Sequence, residues 1–234
     1  GDVYKRQVMQ APKNGFFYVL DAADGELISA TPFTNQNWTT GEFDENGRPV
    51  LVEEAVDLAL YAVIPGPTGA HNWHPMAFNP DTGLVYIPVN EIPFFYDKTR
   101  NVDDSKSFWN LGYDAAAGWP VEYPAGTLDA IADMDGGSLL AWDPVKAEPR
   151  WAVPFALPLN GGVLSTEAGL VFQGNKFGDL VAYDAETGER LWSEQLVGNA
   201  AAAPMTYEID GEQFLSVLSG LSLIHISEPT RHRR

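Results

Sequence analysis

Apolar residues come along this chain in short bursts, each opened and closed by turn residues. "GFFYVLD", "GLVYIPV", "GSLLAWD", "GLVFQG" and "GDLVAYD" all begin with glycine, run through Val, Ile, Leu, Phe or Tyr, and three of them stop at Asp. Runs this short, rich in β-branched and aromatic residues and bounded by Gly and Asp, predict many short strands joined by tight turns. Helical periodicity is scarce, and 22 Gly and 17 Pro punctuate the chain throughout.

The bursts also repeat. "AYDAETGERLW" runs from Ala182 to Trp192, and "AWDPVKAEPRW" from Ala141 to Trp151, with the same Ala-x-Asp opening and the same distance to Trp. A weaker copy, "VLDAADGELIS", begins at Val19 and has Ser29 where the Trp would fall. Each part has a physical task. The Asp carboxylate accepts N–H groups of the turn and ends the strand. The Gly takes positive φ in a hairpin. The Trp begins the next strand and covers apolar area on a neighbouring unit. A period of about 40 residues with four strands per unit reads as a propeller blade, with a Trp-rich β-sandwich as the alternative. Residues 97–135 break the rhythm. They are polar, aromatic and Pro/Gly-bearing, and read either as a long functional loop between strands or as a surface insertion.

Charge narrows the partners. With 32 Asp and Glu against 14 Lys and Arg, the net charge is −18. Such a surface repels phosphate backbones, so nucleic acid is excluded as a partner, while a small neutral substrate or a basic protein is compatible. No apolar run approaches the ~20 residues of a membrane helix. The absence of cysteine rules out thiolate chemistry, disulfides and covalent haem attachment within this stretch. The two ends read differently from the rest. Residues 2–7 can be encoded by DNA whose reverse complement translates as LSLIHI, which is residues 221–226. Residues 1–7 and 221–234 are therefore expected to be adapter-derived, with natural sequence over 8–220.

Three longer stretches carry a resemblance. "MQAPKNGFFYVLDAADGELISA" (9–30), "GAHNWHPMAFNPDTGLVYIPVNE" (69–91) and "NGGVLSTEAGLVFQGNKFGDLVAYDAETGERLW" (160–192) resemble the C-terminal half of quinoprotein alcohol dehydrogenases, which use pyrroloquinoline quinone (PQQ). The Ala-x-Asp-x-x-x-Gly-x-x-x-Trp pattern is similar to the tryptophan-docking repeat of those enzymes. The resemblance implies an all-β, partial propeller, about four four-stranded blades of an eight-bladed ring. It implies that the parent protein oxidises a primary alcohol in the periplasm and hands electrons to a c-type cytochrome. It also implies a calcium or lanthanide ion, whose ligands, like the catalytic Asp, lie outside this stretch, so that the stretch alone is expected to be inactive. Lys13 of the "KNG" turn and Asn72 of "HNW" are the implied cofactor contacts, with Trp73 as a wall beside them. A cation and an amide donor suit a quinone oxygen on which negative charge develops.

His71 and His74, three apart with no helix to align them, read as packing and hydrogen bonding rather than as metal ligands. Where related enzymes have a tryptophan before the paired glycines, this chain has Leu159 and Asn160. The rival readings within the same fold are a non-enzymatic propeller scaffold of outer-membrane assembly and a membrane-bound PQQ sugar dehydrogenase.

Overall fold

The computed structural model describes residues 6–53, 61–96, 135–220 and 230–231. Among them the regular elements are short antiparallel strands, gathered into two compact units.

The first unit comprises Gly1–Ala70 and Glu91–Met134. Its strands β1 (Gln7–Gln10), β2 (Phe16–Asp21) and β3 (Leu27–Pro32) form one antiparallel sheet. Strands β4 (Thr39–Phe43) and β5 (Pro49–Leu51) pair with each other, as do β6 (Tyr61–Val63) and β9 (Phe94–Tyr96).

The second unit comprises His71–Asn90 and Asp135–Arg234. It holds two four-stranded sheets. One runs β7 (Ala77–Asn79), β8 (Leu84–Asn90), β10 (Gly137–Asp143), β11 (Glu148–Phe155); the other runs β12 (Val163–Ser165), β13 (Leu170–Gly174), β14 (Asp179–Asp184), β15 (Arg190–Gln195). A third sheet has β16 (Met205–Ile209), β17 (Glu212–Ser216) and β18 (Thr230–Arg231).

Of the about four four-stranded sheets expected, the described residues form two complete ones and two of three strands, beside two two-stranded pairs. Residues 97–134 of the proposed long loop lie outside the described residues, as do 1–5, 221–229 and 232–234. Gln7 of the expected scar pairs with Asp21, and Arg231 pairs with Phe214. Ladder bonds are made by backbone and require no particular side chain.

The unalternating apolar runs follow from burial on both faces. Successive strand residues point to opposite sides of a sheet. On β13 and β14, Val171, Val181 and Tyr183 pack with Leu84, Tyr86, Leu139 and Ala141 of the preceding sheet. Their neighbours Phe172, Leu180 and Ala182 pack with Leu215 of the following one and with Val217 just beyond its strand. A strand sandwiched between two sheets has no solvent face to make polar.

The repeat is a repeat of geometry. Ala141 pairs with Trp151, Ala182 with Trp192, and Val19 with Ser29, and in each case the register slips directly after that pair. The preceding strand ends at Asp in all three. The backbone N–H groups of Gly188, Ala147 and Gly25 donate to the carbonyls of Asp184, Asp143 and Asp21, each at 2.9 Å. Asp184 Oδ1 also accepts from the backbone N–H and hydroxyl of Thr187, each at 2.9 Å, which hold that carboxyl below the usual range.

One expectation is corrected. The tryptophans do not begin their strands: β11 starts at Glu148 and β15 at Arg190. The slip that closes each hairpin sets the first paired residues ahead of the Trp.

Trp151 crosses to the next sheet. Its indole N–H donates to Ala185 O at 3.1 Å, an oxygen that also accepts from Tyr86 OH at 2.9 Å. Its ring lies so close to Gly188 that a Cβ there would sit 2.7 Å from Trp151 Cε3. Trp192 in turn packs against the cluster holding Leu215 and Val217.

The left-handed turn position is glycine at 188 (φ +75°) and 25 (φ +80°), but Ala147 occupies it in the first complete sheet at φ +56°. A Cβ in this region is strained, so Ala147→Gly should raise the unfolding free energy by about 0.5–1 kcal/mol, after the entropy that glycine adds to the unfolded chain. Urea midpoints of the two proteins test this, and a lowered midpoint in the variant would show that the position carries no strain.

Candidate cofactor site

The "KNG" turn is held from several sides. Asn14 Oδ1 accepts the Phe16 N–H at 3.2 Å, its amide nitrogen donates to Tyr18 OH at 2.7 Å, and its carbonyl accepts Trp38 Nε1–H at 3.2 Å. Gly15 has φ +89°, as the turn requires.

Lys13 is exposed yet fixed. Its Nζ donates to Pro67 O at 3.1 Å, and its carbonyl accepts the Ala70 N–H at 2.9 Å. Its stem lies across Gly69, where a Cβ would strike Lys13 Cγ. Glycine at 69 is thus what lets the lysine lie there. Close by, Gln36 Oε1 stands 3.3 Å from where a Gly15 Cβ would be. Both polar atoms of that amide are buried with no hydrogen-bond partner among the described residues. Sequence reasoning passed over Gln36 because "TNQNW" reads as an ordinary polar loop.

Asn72 and Trp73 share a turn in the second unit. His71 Nε2 lies 2.6 Å from His74 O. A carbonyl only accepts, so the ring carries its proton on Nε2 and donates it. Both histidines are buried, whereas Asn72 is half-buried and Trp73 is 66% exposed. The indole stacks on the His74 ring, with centroids 3.9 Å apart and planes 25° from parallel. The far side of the turn is anchored by Pro75, whose carbonyl accepts the Val163 N–H at 2.8 Å. A Cβ on Gly162 would come within 2.5 Å of Pro75 Cδ, so the second of the paired glycines makes room for this proline.

Leu159 and Asn160 do other work than forming a wall. Leu159 sits at φ +59° and its N–H donates to Asn90 Oδ1 at 2.7 Å. Asn160 is buried and bridges Leu157 O (2.8 Å) and the Lys176 N–H (3.3 Å).

Burial, together with the nearby charges of His71 and Lys176, pushes His74 down to about 4 from 6.5. A base whose folded pKa is depressed binds fewer protons folded than unfolded as pH falls through this window. Its stabilising contribution is complete above pH 6.5 and is lost on the way to pH 4. At 1.36 kcal/mol per unit, acidifying from pH 7 to pH 5 should cost about 2 kcal/mol through this residue. Urea unfolding at the two pH values should show that loss in the wild type and its near absence in His74→Gln; equal losses in both would refute the assignment.

Lys13 belongs to the first unit, and Asn72 and Trp73 to the second. Asn72 follows by two residues the Ala70 amide that is bonded to Lys13. The first unit thus offers an ammonium at Lys13, and the second an amide at Asn72 beside the exposed indole of Trp73. Among the described residues no three His, Asp or Glu side chains gather to hold a metal ion.

Consecutive antiparallel sheets, with Trp151 of one docked on the Asp184-to-Gly188 turn of the next, have the packing of a β-propeller. Residues 55–215 match the PQQ family model described as glucose/ethanol/alcohol dehydrogenase, beta-propeller domain, and the chain belongs to that family.

The chain is 43% identical over 225 residues to quinohemoprotein alcohol dehydrogenase ADH-IIG of Pseudomonas putida, a match covering 92% of this chain and 31% of the relative. The solved structure of ADHIIG superposes with a TM-score of 0.80, covering 92% of this chain and 32% of that one at 41% identity. The 1-butanol dehydrogenase (cytochrome c) of Thauera butanivorans is 38% identical, with 92% of this chain and 31% of the relative covered. A europium-containing methanol dehydrogenase structure is 27% identical with a TM-score of 0.71, covering 92% of this chain and 36% of that one. The chain thus spans about a third of the length of these relatives.

Proposed function

We propose that this chain is part of a periplasmic quinoprotein that oxidises primary alcohols to aldehydes, with PQQ as hydride acceptor and a c-type cytochrome as electron acceptor. The observation that carries the reading is the fixed lysine: Nζ, stem and carbonyl of Lys13 are each held against residues 67–70.

Bound PQQ would supply a quinone that takes up hydride from the alcohol. Lys13 would hold a positive charge, and Asn72 an amide, toward the oxygen where negative charge grows. Donors positioned beforehand need no reorganisation at the moment of reaction. Trp73 would form a flat wall that orients the ring and excludes water. The relatives' names, one an alcohol dehydrogenase and one a 1-butanol dehydrogenase (cytochrome c), support the substrate class and the electron acceptor. The europium-containing neighbour supports a calcium or lanthanide ion in the whole protein.

The test is dye-linked alcohol oxidation by the full-length parent protein, supplied with PQQ and with calcium or a lanthanide. Reduction of the dye that needs both PQQ and a short primary alcohol is the expected result. A parent that binds no PQQ and reduces no dye would overturn the reading.

A further inference from the structure

We infer that His71 and His74 are positioning residues that brace the exposed indole of Trp73. The inference rests on the reading above, in which Trp73 walls the cofactor.

The geometry is that of a four-residue loop closed by a side chain. His71 Nε2–H reaches the carbonyl three residues on, at 2.6 Å, outside any helix or strand. The closing pair is buried, His71 at 7% and His74 at 3% exposure, while Trp73 between them stands 66% exposed. Closing i to i+3 in this way thrusts the two central residues, Asn72 and Trp73, outward at the tip. A backbone turn of the same length would use an N–H to close the ring; here the imidazole replaces it. Without that donor the His74 carbonyl would be a buried acceptor with one partner fewer, and the turn would relax toward water.

His74 supplies the second half of the brace. Its ring lies 3.9 Å behind the indole, nearly parallel, so one indole face is occupied and the other is presented. The groups whose charges reach this ring are His71 and Lys176. Together with burial they keep it uncharged at neutral pH, so it acts as a flat apolar platform. The Val163 N–H to Pro75 carbonyl bond ties the residue after the platform to β12.

The experiment is equilibrium binding of PQQ to the full-length parent protein, followed by dialysis and PQQ absorbance, with thermal unfolding recorded for each variant. Trp73→Ala should weaken PQQ about tenfold, and so should His71→Met and His74→Leu, which remove the donor and the platform. His71→Gln, whose amide N–H can reach the same carbonyl, and His74→Phe, which keeps a flat ring, should stay within about threefold of wild type.

The decisive reading is coupling: His71→Met combined with Trp73→Ala should be no weaker than Trp73→Ala alone, because both act through one indole. Full additivity, or wild-type binding by His71→Met and His74→Leu, would overturn the brace. Wild-type binding by Trp73→Ala would instead overturn the underlying cofactor reading. If His71→Met does not fold, the contrast of His74→Leu with His74→Phe decides the matter in the same way.

Discussion

Trp151→Ala should lower the unfolding free energy of this chain by about 3 kcal/mol, the lower end of the range for deleting a packed aromatic, because the indole is only partly buried. Three losses combine. The ring leaves a void against Gly188, whose missing Cβ had made space for it. Its offset contact with Tyr86, at 5.7 Å between centroids, disappears. Ala185 O keeps only the Tyr86 hydroxyl of its two donors. Trp151→Phe should fall between, retaining ring contact and losing the N–H. Gly188→Ala should damage the same joint from the other side, since a Cβ would strike the ring and φ is +75°. Urea unfolding of the three variants checks the series. A Trp151→Ala protein within about 0.5 kcal/mol of wild type would mean that the joint between sheets does not depend on the indole.

Lys13→Ala should slow the full-length parent enzyme by about 10²–10³-fold in kcat, the effect of removing one preorganised donor to developing negative charge. The side chain is exposed, so folding should be nearly unaffected. Lys13→Arg should recover only part of the rate, because a planar guanidinium does not replace a compact ammonium on the Pro67 carbonyl. Gly69→Ala should reproduce much of the defect with Lys13 still in the sequence, since its Cβ would strike the lysine's stem and backbone and φ is +79°. Steady-state dye reduction with PQQ and a short primary alcohol measures all three. An unaffected Lys13→Ala enzyme would place the chemistry elsewhere.

Much of the fold can be read from spacing because the repeat encodes a hydrogen-bond pattern. Asp143 and Asp184 end their strands and cap their turns as the residue type dictates, and the Trp residues pair across from the preceding Ala in the same register. The bulge after that pair is not visible in the sequence, and it moves the start of β11 and β15 ahead of the tryptophan. Nor does spacing show that Ala147 occupies a left-handed position, since alanine there defies the local preference.

The site was readable only as residue types. "HNWH" announces two histidines but not that one side chain closes the turn on the other's carbonyl, because that bond follows no period of helix or strand. Gln36 was hidden for a similar reason: its burial comes from residues distant in sequence, and a polar run between strands looks like solvent-facing loop. Leu159 and Asn160 looked like an altered pocket wall, whereas Asn160 proves to be a buried bracket for the 157–176 region.

The most direct test of the account is a structure of the full-length parent protein with PQQ bound. Lys13 Nζ and Asn72 Nδ2 should each lie within about 3.2 Å of oxygen atoms of the one cofactor molecule, with the free face of the Trp73 indole beside it. A bound PQQ that touches neither Lys13 nor Asn72 would contradict the account.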